Sequence, residues 1–114
     1  MSLLASSSYS NNHNLYFSKD ELSKILKVYS KGVSRGIWKD YAINFNKNNA
    51  FFYIFKHTLA SPECILNKSL EKKRKKILYK LKSKNFNKKF ENIDSLIVTL
   101  NRKNIKIANW TFEI

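Results

Sequence analysis

Apolar and polar residues alternate on both sides of Asn46-Lys47-Asn48-Asn49, and no other feature of the sequence constrains the fold as tightly. Before these four residues, Tyr41, Ile43 and Phe45 alternate with Asp40, Ala42 and Asn44; after them, Ala50 opens a second run that reaches Phe55. Period two on either side of turn-tolerant residues predicts a β-hairpin. With Lys47 and Asn48 at its tip, Tyr41 faces Ile54, Ile43 faces Phe52 and Phe45 faces Ala50, all on one side of the sheet. A slip of one residue would mix apolar with polar side chains on both sides, so the register is specified. The other side carries Phe51, Tyr53 and Phe55 opposite Asn44, Ala42 and Asp40, with Trp38 opposite His57. Three rings at alternate positions of that side are unusual, because a half-solvated sheet places polar groups there.

The flanking elements follow from capping and period. Ser18-Lys19-Asp20-Glu21 forms a capping box, with Phe17 and Leu22 as its hydrophobic staple. Leu22, Ile25, Leu26, Tyr29 and Val33 then mark one apolar stripe of a helix that Gly36 ends. This helix is the natural cover for the Tyr41, Ile43 and Phe45 side of the hairpin. Pro62 opens a short strand over Glu63 to Lys68. Ser69 to Lys76 reads as a basic loop, Ile77 to Lys82 as a strand, and Phe86 to Lys88 as a short strand after a turn at Lys84-Asn85. Asn92 caps a second helix whose stripe is Ile93, Leu96, Ile97 and Leu100, with Arg102 and Lys103 in its last turn. Ala108, Trp110, Phe112 and Ile114 alternate again and predict a terminal strand. Residues 1–14, rich in Ser and Asn, read as a flexible tail. Residues 15–114 read as a single α+β domain: an N-terminal amphipathic helix packed on an antiparallel sheet of four to five strands, a second helix and a C-terminal strand.

In this order of elements the chain resembles an alphaproteobacterial family of unknown function, the domain of unknown function 2794. The resemblance runs from about Tyr16 to Asn101 and is carried by ELSKILKVYSKGV in the capped helix, a glycine, WKDYAI and the AFFYIF strand. Its strongest anchor is Trp38, Asp40, Tyr41, Ala42 and Ile43, where the family has Trp-Arg-Asp-Tyr-Ala-Ile and this chain puts Lys39 for the arginine. The Pro62 strand and the Lys88-Lys89 pair match more loosely, and the span from Lys68 to Tyr79 matches poorly. The resemblance implies an alphaproteobacterial cytoplasmic protein and no particular activity.

Charge narrows the roles that remain. Twenty-two basic residues stand against eight acidic ones, for a formal net charge of +14. Such an excess concentrates polyanions near the surface. Lysine outnumbers arginine 19 to 3, and Asn and Ile are also abundant. All three residues have A/T-rich codons, so base composition accounts for part of the excess, and arginine, the better bidentate reader of phosphate, is scarce. The densest positive run is Lys72, Lys73, Arg74, Lys75 and Lys76, which reads either as a solvated loop or as a phosphate-binding one. Phe51, Tyr53 and Phe55 either stack bases of a single strand or form a second core layer beneath a helix, the terminal strand or a second copy of the chain. The candidate nucleic-acid-binding residues are therefore Lys72, Lys73, Arg74, Lys75, Lys76, Lys88, Lys89, Phe51, Tyr53 and Phe55. Trp38, Asp40 and Tyr41 read as a structural signature.

Catalysis and metal chemistry find little in the sequence. Asp40 and His57 are the one conceivable acid–base pair, diagonal across the hairpin, with no Ser or Cys nucleophile at a recognisable spacing. Cys64 is the single cysteine and reads as a small buried hydrophobe; with only His13 and His57 beside it there is no ligand set at zinc spacing. No cofactor is expected. No apolar run approaches the length of a membrane span and the first residues lack a basic start, so the chain reads as cytoplasmic. The expected function is non-enzymatic binding of RNA or DNA, with protein interaction or homo-oligomerisation through the aromatic sheet face as the alternative.

Overall fold

The computed structural model describes residues 14–57 and 60–113, with side chains described as far as Lys103. Two helices and five strands occur among the described residues: α1 (Lys19–Ser34), β1 (Asp40–Phe45), β2 (Asn49–Phe55), β3 (Cys64–Glu71), β4 (Lys76–Ser83), β5 (Phe86–Phe90) and α2 (Ile93–Glu113). The strands form one antiparallel sheet in sequence order, so the fold is α+β. The tail expected over residues 1–14 lies, apart from Asn14, outside the described residues.

Helix α1 begins at the expected capping box. The Glu21 N–H donates to Ser18 Oγ at 3.1 Å and the Ser18 N–H donates to Glu21 Oε1 at 2.8 Å. Gly36 adopts φ 74° just beyond the helix, where a side chain would be strained. The buried face differs from the expected stripe: Ile25, Val28, Tyr29 and Gly32 are buried, whereas Val33 is exposed. Trp38 explains the rotation. Its N–H and that of Ile37 both donate to the Gly32 carbonyl, at 3.3 and 2.9 Å, which folds the chain back onto the helix before β1 starts. The indole then packs flat against Gly32, and a Cβ built there would stand 2.7 Å from Cδ2 and 2.8 Å from Cζ3. Trp38 is accordingly a core residue, 3% exposed, and not a ring on the outer side opposite His57.

The β1–β2 register is the expected one throughout, from Asp40 opposite Phe55 to Phe45 opposite Ala50, with the Asn46 N–H closing the turn on the Asn49 carbonyl at 2.8 Å. The basic loop expected over Ser69 to Lys76 is much shorter. Ser69, Leu70 and Glu71 extend β3, Lys76 begins β4, and only Lys72 to Lys75 turn, with Lys75 at φ 51°. The extra pairs Ser69–Leu78, Leu70–Ile77 and Glu71–Lys76 add ladder hydrogen bonds and bring two apolar side chains to the same side, which favours sheet over loop. The expected terminal strand is absent. Residues 108–113 continue α2, and Ile114 lies outside the described residues. No Gly or Pro interrupts the sequence after Asn92, whose Oδ1 accepts the Ser95 N–H at 2.8 Å, and a nucleated helix gains one bond per added residue.

Both helices lie on the same side of the sheet. Ile25, Val28 and Tyr29 of α1 and Ile93, Leu96 and Leu100 of α2 close over Phe52, Ile54, Cys64, Leu66, Tyr79, Leu81 and Phe90. The cover stops short of β1, which departs from expectation: Tyr41, Ile43 and Phe45 point to the helix side yet remain about 40% exposed. At the other end of α1, Glu21 is buried and ties the helix to the sheet. Lys68 of β3 donates to its Oε1 at 2.8 Å, and the Tyr79 hydroxyl of β4 donates to its Oε2. Burial alone would raise the Glu21 carboxyl, but Lys68, Tyr79 and the Ser18 N–H together hold it below its ordinary value. The Tyr79 phenol is pushed up, first by burial and then by the neighbouring carboxylate.

Two predictions follow from this packing. Ala is a better helix former than Gly, yet Gly32→Ala is expected to lower the unfolding free energy by about 1–3 kcal/mol in urea titrations, because overpacking against Trp38 outweighs propensity. Glu21 binds protons more weakly folded than unfolded, so its contribution is present above the ordinary carboxyl value of 4.5 and is lost as pH falls through the lower folded value. Glu21→Gln should remove about 2 kcal/mol at neutral pH, the scale of a hydrogen bond to a charged group, and should flatten the acid limb of stability against pH.

Candidate nucleic-acid interface

No helix among the described residues covers the side of the sheet opposite the core. Strand alternation and register fix what this outer side presents. One row across it reads Asn44, Phe51, Asn67, Lys80 and Lys89; the next reads Ala42, Tyr53, Ile65, Lys82 and Asn87. Phe55 extends the ring ladder opposite Asp40. Phe51, Tyr53, Phe55 and Ile65 are all half-buried, and the first two rings stack with centroids 5.7 Å apart and planes 19° apart. Each of the first two rings of β2 thus looks across one intervening strand to a lysine of β4, about 10 Å away at ordinary strand spacing. Lys80, Lys82 and Lys89 make no ion pair among the described residues, whereas Asp40 lies at the start of β1 and Glu71 at the end of β3, where it pairs with Arg74.

The basic residues picked out from sequence divide among several places. Lys89 joins the outer side beside Lys80, but Lys88 points to the helix side and sits over the Phe90 ring at 5.5 Å. Lys72, Lys73, Arg74 and Lys75 form the exposed β3–β4 turn, at the Phe51 end of the ladder, next to the β1–β2 turn with its Lys47. Arg74 is paired with Glu71 at 3.2 Å and Lys76 with Glu91 at 3.1 Å, and Lys72, Lys73 and Lys75 have no acidic partner among the described residues.

The signature residues have structural tasks. Trp38 seats on Gly32, and Tyr41 stacks on Phe52 with centroids 4.9 Å apart while meeting Tyr29 edge-on. The Asp40 carboxylate accepts the Tyr41 N–H at 2.8 Å, and Asn44 repeats the arrangement on the Phe45 N–H at 2.8 Å. In an edge strand alternate N–H groups point away from the neighbouring strand, and these are two of them. His57 lines a cleft of about 450 Å³ with Val33, Gly36, Trp38, Lys39 and Lys56, and Asp40 is not part of that lining. No group of three or more potential metal ligands occurs among the described residues, and no helix there is long and apolar enough to cross a membrane.

The profile of a family described as protein of unknown function (DUF2794) matches residues 15–89. The chain belongs to that family. Neither the curated proteins nor the solved structures hold a match to it. The DUF2794 span takes in α1, the Gly32–Trp38 seat, the ring ladder and almost the whole sheet, and it stops before α2.

Sequence reasoning missed Lys80, Lys82, Ile65 and Asn67 as members of the outer side. Lys80 and Lys82 alternate with Tyr79 and Leu81, which would have placed them opposite the core, but the β2–β3–β4 register that sets them beside the rings is not written locally. Cys64 is buried as expected, and burial, with Glu63 nearby, pushes its thiol up to about 12. A thiol that rarely ionises reacts slowly. Labelling of Cys64 by a disulfide reagent at neutral pH is therefore expected to proceed only as fast as the protein opens, and fast stoichiometric labelling of the native protein would contradict this burial.

Proposed function

We propose that the protein binds single-stranded RNA or DNA across the outer side of its sheet, without catalysing a reaction. The observation that carries this reading is that Phe51 and Tyr53 of β2, on a side that neither helix covers, share their rows with lysines of β4 and β5 that make no ion pair among the described residues. Bases stack on aromatic faces whatever their identity, and lysines beyond the stack meet the phosphates. The turn from Lys72 to Lys75 extends the positive surface past the Phe51 end.

Salt dependence separates the two groups of cations. Three phosphates met by Lys80, Lys82 and Lys89 alone imply an affinity loss of roughly 20-fold between 50 and 200 mM salt, and six phosphates, with the turn engaged, roughly 300-fold. Neutralising Lys72, Lys73 and Lys75 is expected to reduce the steeper dependence to the shallower one in anisotropy titrations. Tyr53→Ala should cost about 1–3 kcal/mol of binding. Absence of binding at about 50 mM salt, or binding indifferent to both Tyr53 and salt, would rule the reading out.

A second reading draws on the other side of β1. Tyr41, Ile43 and Phe45 are exposed on the helix side, with Tyr16 against Phe45 at 4.5 Å between ring centroids. A protein partner or second copy of the chain would cover this stripe. Light scattering at high salt, where repulsion between like-charged copies is screened, tests self-association: a strict monomer, unchanged by Ile43→Lys, removes the homotypic form of this reading.

A further inference from the structure

We infer that Asn67 reads the base stacked on Phe51 through its amide oxygen, favouring a base that carries a hydrogen-bond donor, such as adenine, over one that carries none; this rests on the single-strand reading above. Asn67 stands on the outer side of β3, directly between Phe51 of β2 and Lys80 of β4. Its amide nitrogen donates to the Ala50 carbonyl at 3.2 Å, to the Lys68 carbonyl at 3.3 Å and to Asn49 Oδ1 at 3.3 Å. Backbone carbonyls only accept, so the two main-chain partners fix which end of the amide faces the protein. The Oδ1 atom is the end left over. It takes no hydrogen bond from any described residue, and it is not among their unpartnered side-chain atoms closed off from solvent, which are Trp38 Nε1 and Asn101 Oδ1.

The rest of the row gives this acceptor its meaning. Lys80 and Lys89 only donate, Phe51 has no polar atom, and Asn44 Oδ1 is already engaged by the Phe45 N–H. Asn67 Oδ1 is thus the neutral acceptor of this row that no described residue engages, and it lies next to Phe51. Adenine and cytosine carry an amino donor, N6 or N4, where guanine and uracil carry a carbonyl acceptor. An amino group satisfies Oδ1, and guanine or uracil can turn a ring N–H to it instead, whereas a base with no donor on that edge leaves it unmet. A hydrogen bond gained against one left unmade gives a discrimination of about 5- to 20-fold.

The test uses the full chain at low salt and two labelled single strands of equal length: oligoadenylate and an oligomer of purine riboside, which is adenosine without its amino group. Wild-type protein is expected to bind oligoadenylate about 5- to 20-fold more tightly than the purine riboside strand, and Asn67→Leu to level the two. Equal affinity of wild-type protein for oligoadenylate and the purine riboside strand overturns the inference, and that comparison needs no variant to fold. A preference that survives in a folded Asn67→Leu protein overturns it too. These outcomes are distinct from failure of the underlying reading, in which no strand binds or binding does not require Tyr53, and which removes the inference with it.

Discussion

The seat of Trp38 on Gly32 is the constraint on which the arrangement depends. It joins the end of α1 to the start of β1 through both main chain and side chain. The Gly32 carbonyl takes two N–H groups from the returning chain, and the missing Cβ lets the indole lie against the helix backbone. From that point the phase of β1 is set, and with it the side of the sheet on which each ring of the hairpin emerges. The Glu21, Lys68 and Tyr79 cluster performs the matching task at the other end of α1 by bonding the first helical turn to β3 and β4. The helix is held at both ends against one side of the sheet.

Because α2 joins α1 on that side, the architecture is two-layered, and the opposite side depends on its own side chains for shelter. The rings there shelter one another: Phe51 stacks on Tyr53, and Ile65 fills the neighbouring position. A surface of this kind costs hydrophobic exposure that a third layer would remove. In a chain of net charge +14, Lys80 and Lys82, which make no ion pair among the described residues, lie one strand beyond those rings, and Asp40 and Glu71 stand at strand ends. That distribution, and not the total charge alone, is the ground for the proposed binding of single strands.

Local grammar was legible and long-range pairing was not. The capping box at Ser18 and Glu21 and the hairpin about Lys47 and Asn48 are written within a few residues, and both emerged in the expected register. Trp38 was misplaced because its position follows from a contact with Gly32 that alternation does not encode. The loop expected after Lys68 became strand because its partner, Lys76 to Leu78, lies across a turn whose charge masked the pairing. At the end of the chain, alternation of Ala108, Trp110 and Phe112 suggested a strand, yet helix propagation from Asn92 met no residue that stops it. The ring ladder was read correctly from period two, while its lysine neighbours depended on two further registers. Asn67 carried no signal in sequence, since its significance lies in which end of its amide the backbone occupies.

Asp40 and Asn44 leave a last consequence at the rim of the sheet. By folding back onto the N–H groups of Tyr41 and Phe45, their side chains occupy donors that an incoming strand would need. Lysine or proline commonly guards such a margin; here two short acceptors do so while adding no positive charge. Growth of the sheet by addition of a foreign strand is therefore disfavoured along β1. Any polypeptide that settles there must recognise oily side chains and gain little from main-chain pairing, so shape, not β-propensity, would govern its choice.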